Sequence, residues 1–204
     1  MNPAQRVDLA TDAIWVDDRL AQPAKPLYWV LYKPVGYVTT RQDPDGRPTV
    51  YDLLPRSLPF VAPVGRLDLD SSGLLLFTND TQFAAALTDP ASHVPKVYEV
   101  LLDTAVSQRE ANALAAGVDV GGRRTSPARF QLVGPEPSVR LAVTLTEGRN
   151  RQVRRMFASI GRNVVELRRV QIGSLRLDGL DPGDARPLHE GELRALRDLV
   201  SRRR

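Results

Sequence analysis

Apolar positions along this chain fall in short runs and alternations broken by glycine, proline and Asx residues, the spacing of strands and brief helices. LYWVLYKP (27–34) is a strongly apolar strand stopped by proline. Leu74, Leu75, Leu76 and Phe77 make a continuous run too short for a helix and closed by Asn79-Asp80, which predicts a buried strand. Between them, 43–55 holds a turn and then one or two helical turns, and 81–87 predicts a short helix. Residues 96–102 alternate as a strand, 107–116 have helical composition with Gly117 placed as the stop, and Gly121-Gly122 marks a hairpin. The cleanest alternation is 139–146. On a helix over 149–160, Val153, Met156, Phe157 and Ile160 share one face, and Arg151, Arg154 and Arg155 form a cationic stripe on the other. Gly161 ends that helix, 164–170 and 175–177 read as strand, turn and strand, and 189–200 as a final helix. Hairpins interspersed with a few helices predict an α+β sheet protein.

No repeat of 20–50 residues and no flexible linker divides the chain, so one compact unit is expected over 27–200. Residues 1–26 are expected to be an extended or weakly ordered front end, and 201–204 a basic tail. No apolar run of membrane-spanning length and no secretory signal pattern is present, which makes the cytoplasm the expected location. Cysteine is absent and only His93 and His189 are available, so neither a thiolate nor a His-rich metal site is expected.

The net charge is only +4, but all the basic residues except Lys25, Lys33 and Lys96 are arginines, and they cluster. Residues 147–176 carry eight arginines against two acids, Glu147 and Glu166, whereas 52–95 hold only Arg56 and Arg66. Guanidinium is permanently charged and binds phosphate bidentately, so a one-sided arginine surface suits a polyanion. The stretch GRLDLDSSGLLLFTND (65–80) places Arg66, Asp68 and Asp70 at the mouth of the apolar strand. Together the two regions suggest a carboxylate that works on a polyanion. Taken singly, Asp68, Asp70, Ser71 and Ser72 read as turn and capping residues and Tyr98 as a core or interface ring, and a rival function makes Asp68 and Asp70 the carboxylate pair of a retaining glycosidase.

The order and spacing of YWVLYKPVGYVTT, DPDGRPTVYDLLP, VGRLDLDSSGLLLFTND, KVYEV, EGRNRQVRRMF, VELRRVQIGSLRL and LHEGELRAL overturn those separate readings. Over about residues 28–196 the chain closely resembles the RsuA-like family of ribosomal pseudouridine synthases, especially members acting on large-subunit (23S) rRNA. The resemblance implies a mixed, mostly antiparallel sheet in two halves, with a central catalytic cleft and flanking helices. It also implies isomerisation of a uridine with no cofactor and a ribosomal RNA partner; a monomer is the default expectation. Many relatives carry an additional amino-terminal RNA-binding domain of about sixty residues, a usual minimum for independent folding. The 26 residues before the core are too few for it, so it is expected to be absent, with VDDRLAQPAKP the remnant of its linker.

By that resemblance Asp68 is the catalytic aspartate, either attacking the ribose or withdrawing a proton from it. Either role needs it ionised, which a neighbouring arginine secures. Arg154 is the expected partner and Arg149 the alternative, since on a helical wheel Arg149 falls among the apolar residues and so is expected in the preceding turn, pointing elsewhere. Tyr98 matches the family's active-site tyrosine, with Lys96 on the same strand face. Arg66 matches a position suited to filling the stack that an extruded base vacates. Gly65 and Gly73 are expected to let the backbone turn around the substrate, and Arg151, Gln152 and Arg155 to hold phosphates or base edges.

Overall fold

A computed structural model of the 204-residue chain describes residue 13, residues 15–20 and residues 24–201. Within the expected front end it describes a small hairpin, β1 (Trp15–Val16) and β2 (Arg19–Leu20), whose turn residues Asp17 and Asp18 both adopt left-handed backbone at φ 46° and 59°. The remainder of that front end and the arginines of the basic tail lie outside the described residues.

The main sheet has nine strands: β3 (Tyr28–Lys33), β4 (Ala62–Pro63), β5 (Ser72–Thr78), β6 (Lys96–Val106), β7 (Arg129–Leu132), β8 (Ser138–Leu145), β9 (Val164–Ile172), β10 (Leu175–Arg176) and β11 (Ala185–Pro187). They run in the order β11-β3-β5-β9-β6-β8-β7, with β4 beside β5 and β10 beside β9. Every pairing is antiparallel except β5 with β9, where only Ser72↔Arg168 and Gly73↔Arg169 meet. This two-residue parallel seam divides the sheet into two antiparallel halves that diverge beyond it, the geometry the resemblance implied. Gly73 has φ +109°, and a Cβ there would collide with the Arg169 backbone, so only glycine allows the strands to approach this closely.

Both faces of the central strands are covered, which is why β5 reads as a continuous apolar run. Leu75 and Phe77 pack with Leu31, Tyr98, Val143, Val153, Met156 and Phe157 on one face. Leu74 and Leu76 pack with Val30, Phe83, Leu87 and Leu196 on the other. Helices α1 (Thr81–Thr88) and α4 (Glu190–Ser201) cover that second face. On the first face lie α2 (Gln108–Ala115), started by a Ser107–Glu110 capping box, and α3 (Gln152–Ala158). Gly117 follows α2 as expected at φ +92°.

Three local expectations change. Gly121-Gly122 turns the chain, but only the isolated bridge Asp119↔Arg124 flanks it, so no strand hairpin forms. The short strands β4, β7 and β11 were not expected, since runs of two to four residues carry little periodicity. The helix expected over 149–160 begins only at Gln152, because the preceding turn is tied to Glu147 and Arg151 takes left-handed backbone at φ 49°.

Candidate active site

Asp68 follows buried Leu67 and opens a turn closed by the Ser71 N–H donating to the Asp68 carbonyl at 3.1 Å. Lys33, at the end of β3, holds this turn from below. It is fully buried, and its Nζ donates to the carbonyls of Ser71, Asp68 and Pro34 at 2.7, 3.0 and 3.0 Å. Burial pulls its pKa down to about 8, against the opposing pull of Asp70 and Asp68. The clamp fixes the backbone and leaves the Asp68 carboxylate directed outward, with its side chain 32 % exposed.

Four charges meet above that turn. Arg151 Nη1 lies 3.7 Å from Asp68 Oδ2 and hydrogen-bonds Asp70 at 3.1 Å, while its Nη2 donates to Asp70 at 2.8 Å. Arg154 Nε lies 3.2 Å from Asp70 Oδ2, and its Nη atoms donate to the carbonyls of Asp70 and Val164 at 2.8 and 2.7 Å. Burial would raise the Asp70 pKa, but the Arg151 hydrogen bonds and the two guanidinium charges outweigh it and hold the carboxyl below its ordinary value. The left-handed backbone of Arg151, uncommon for a non-glycine residue, starts α3 beside both carboxylates.

The expected pairing is therefore corrected. The direct cationic neighbour of Asp68 is Arg151, while Arg154 is fixed on Asp70 and on the β9 backbone. Arg149 is directed elsewhere: its guanidinium donates to Glu147 and to the carbonyls of Arg123 and Arg124. Nor do the three arginines form one solvated stripe, since Arg154 is packed inward with its side chain only 13 % exposed.

A cleft of about 310 Å³ lies beside Asp68, lined by Gly65, Arg66, Lys96, Tyr98, Arg149, Arg151, Gln152 and Arg169 among others. Tyr98 is buried on β6, opposite Val143 of β8 and Arg169 of β9, and Arg66 is exposed at the rim. Gly65, at φ +78°, turns the chain into this wall. Three other expected contacts are placed differently. Gly73 lies in the seam rather than in the lining. Gln152 is buried with its amide committed to Glu147 at 2.6 Å and to the Arg149 N–H at 3.0 Å. Arg155 lies outside the lining, its guanidinium beside Gly121.

Sequence reasoning missed Lys33 and Arg169. A lysine closing an otherwise apolar strand, and an arginine on the inward parity of VELRRVQI two residues after Leu167, were the available signals. Among the described residues no acid, histidine or cysteine cluster could hold a metal, and no helix is long and apolar enough to cross a membrane.

The two-part sheet with an aspartate turn, a tyrosine and arginines around one cleft defines the class. The RNA pseudouridylate synthase family model matches residues 27–159, and the chain belongs to that family. It is 38 % identical over 193 residues, 93 % of this chain and 79 % of the relative, to a ribosomal large subunit pseudouridine synthase B of Bacillus subtilis (strain 168). It is 42 % identical over 178 residues, 85 % of this chain and 75 % of the relative, to a ribosomal small subunit pseudouridine synthase A of Salmonella typhimurium. A solved pseudouridylate synthase superposes with a TM-score of 0.79 at 34 % identity, covering 94 % of this chain and 83 % of that one.

Proposed function

We propose that this cleft converts a uridine of ribosomal RNA, and more narrowly of large-subunit rRNA, to pseudouridine. The observation that carries the reading is a carboxylate, Asp68, that lines the same cleft as Tyr98 and has the Arg151 guanidinium at 3.7 Å. Relatives of both ribosomal subunits support an rRNA substrate, and the EGRNRQVRRM segment favours the large subunit.

In this reading Asp68 starts the reaction by attacking the ribose or withdrawing a proton from it. The N1–C1′ bond breaks with its electron pair on the base, the base turns, and C5 bonds to C1′ as the Asp68–C1′ bond breaks or, by the other route, as the ribose takes its proton back from Asp68; the C5 proton then leaves as N1 becomes protonated. Arg151 aims Asp68. Tyr98 supplies a ring against the base and a hydroxyl near C5, and Arg66 fills the vacated stack. Arg151 and Arg155 offer charge to the backbone on the way in, so binding weakens with salt. The protein acts in the cytoplasm as a monomer.

Purified protein is tested on unmodified small- and large-subunit rRNA transcripts, with pseudouridines mapped by carbodiimide labelling and primer extension. The expected result is one converted uridine in the large-subunit transcript, abolished in Asp68→Ala with RNA binding retained. Conversion only in the small-subunit transcript removes the subunit assignment, and equal conversion by Asp68→Ala removes the catalytic one.

A further inference from the structure

Two parts of the cleft lining differ in charge. Around Asp68 and Asp70, carboxylates and guanidiniums balance. Deeper in the same cleft lie Lys96 of β6 and Arg169 of β9, and among the described residues neither has a carboxylate partner. Arg169 is 4 % exposed, its plane held by Nε donating to the Leu74 carbonyl at 2.8 Å, and its Nη2 has no hydrogen-bond partner. Among the described residues Lys96 donates only to the Val94 carbonyl, at 3.2 Å. The Ser71 hydroxyl, in the same lining, is likewise buried and unpartnered.

This arrangement is built by the strands. Lys96 and Tyr98 share a face of β6, and Tyr98 is the register partner of Arg169. Opposite the step from Val97 to Tyr98, β9 holds one extra residue, Val170. The bulge brings both Arg169 and Ile172 to the cleft, although three residues apart on a regular strand they would face opposite sides. Keeping two cations together in a partly dry cleft is unfavourable unless something anionic joins them.

We propose that Lys96 and Arg169 form a cationic floor that takes up the negative charge of uracil once its bond to the ribose has broken. This inference rests on the isomerase reading above. By either route for Asp68 the base departs with the N1–C1′ electron pair, and the charge spreads from N1 onto O2 and O4. A floor beside Tyr98, which faces the base, meets that charge where it forms and does nothing comparable for neutral uridine, so it lowers the barrier rather than strengthening binding. A backbone phosphate is the other anion an RNA brings. The exposed arginines at the rim are placed for it, whereas Arg169 lies too deep.

The test uses single-turnover conversion, RNA affinity and thermal unfolding of wild type, Lys96→Met, Arg169→Met and Lys96→Arg on the rRNA transcripts. The expected loss in the two methionine variants is on the order of 10²–10³ in rate, as for removing one preorganised donor from a developing anion, with RNA affinity unchanged. Lys96→Arg is expected to retain most of the rate. The charged residues that line the cleft with Lys96 are Arg169 from β9, Asp68 and Arg66 from the turn before β5, and Arg149 and Arg151 from the loop before α3. Desolvation, helped by Arg169, lowers the Lys96 pKa to about 8. Below that pH the lysine carries its charge, and above it the charge and the rate are lost together. In Lys96→Arg that alkaline fall moves to higher pH, which a merely structural role for Lys96 does not produce. Unchanged rates in folded methionine variants, an unmoved alkaline fall, or a loss of affinity matching the loss of rate each overturn the inference. Wild-type protein that converts no uridine removes the isomerase reading and the floor with it, whereas active wild type with indifferent variants removes the floor alone.

Discussion

Two acid–arginine knots flank the cleft, a few residues apart at α3, and they differ in how fully their polar atoms are used. In the Glu147 knot the carboxylate accepts from the Ser126 N–H and hydroxyl, Gln152 Nε2 and Arg149 Nε and Nη2, while Arg149 also binds two carbonyls. In the Asp68 knot, Asp70 is held by two arginines while Asp68 has one guanidinium at 3.7 Å. A carboxylate with every lone pair engaged is a structural anchor, because a substrate can reach it only by breaking bonds already made. A carboxylate held by its backbone, with its side chain partly open, can react. The two knots use the same residue types, and saturation tells them apart.

The largest expected effect comes from emptying the reactive knot. Asp68→Asn lowers the conversion rate on the order of 10⁴-fold, as for loss of a group the chemistry depends on, while RNA affinity and unfolding temperature stay within error. Next, Lys33→Met removes the clamp below the Asp68 turn. Hydrogen bonds from a charged donor contribute about 1.5–3 kcal/mol each, and their sharing of one ammonium keeps the total near 3 kcal/mol. For a chain of this size that is roughly 6–12 °C in Tm, read by calorimetry.

Arg151→Gly sharpens the distinction within the Asp68 knot. Its ion pairs are about half exposed and contribute roughly 1 kcal/mol or less, which relief of the left-handed backbone offsets. Stability therefore barely changes, whereas conversion falls about tenfold or more as Asp68 loses its orienting charge. A large drop in Tm with full activity would reverse the assignment of this residue.

The smallest effect is in the saturated knot. Burial would raise the Glu147 pKa, but hydrogen bonds from Ser126 and Gln152, with the Arg149 charge, outweigh it and hold the pKa below its ordinary value. Its stabilisation is present above the unfolded carboxylate pKa and lost as pH falls through the lower folded one. Glu147→Gln costs about 1 kcal/mol near neutrality and flattens the acid limb of a Tm-against-pH curve. Conversion at 25 °C is retained.

The sequence made the two-sided core legible because apolar runs and alternations need only period and length. The continuous apolar run LLLF, and the alternation over 139–146, read correctly as strands for that reason. Family motifs pointed to Asp68 and Tyr98, which the structure brings to one cleft. Arginine pairings were legible only in part. The helical wheel put Arg149 in the turn before the helix, where it lies, but gave no sign of the left-handed residue at 151 that sets Arg151 beside Asp68. Gly73 shows the same limit: its positive φ was readable as glycine's freedom, but not that a neighbouring strand occupied the space. Lys33 and Arg169 escaped because a buried charge is recognised by what surrounds it, and β3 meets the Asp68 turn 35 residues further along the chain.

The most direct test of saturation as the mark separating anchor from reactant is tritium release from rRNA labelled at uracil C5, followed for wild type, Asp68→Asn and Glu147→Gln. Release by wild type and Glu147→Gln at similar rates, with none from Asp68→Asn above the RNA-only background, is the predicted result. Release by Asp68→Asn at the wild-type rate, or its loss in folded Glu147→Gln, contradicts the account.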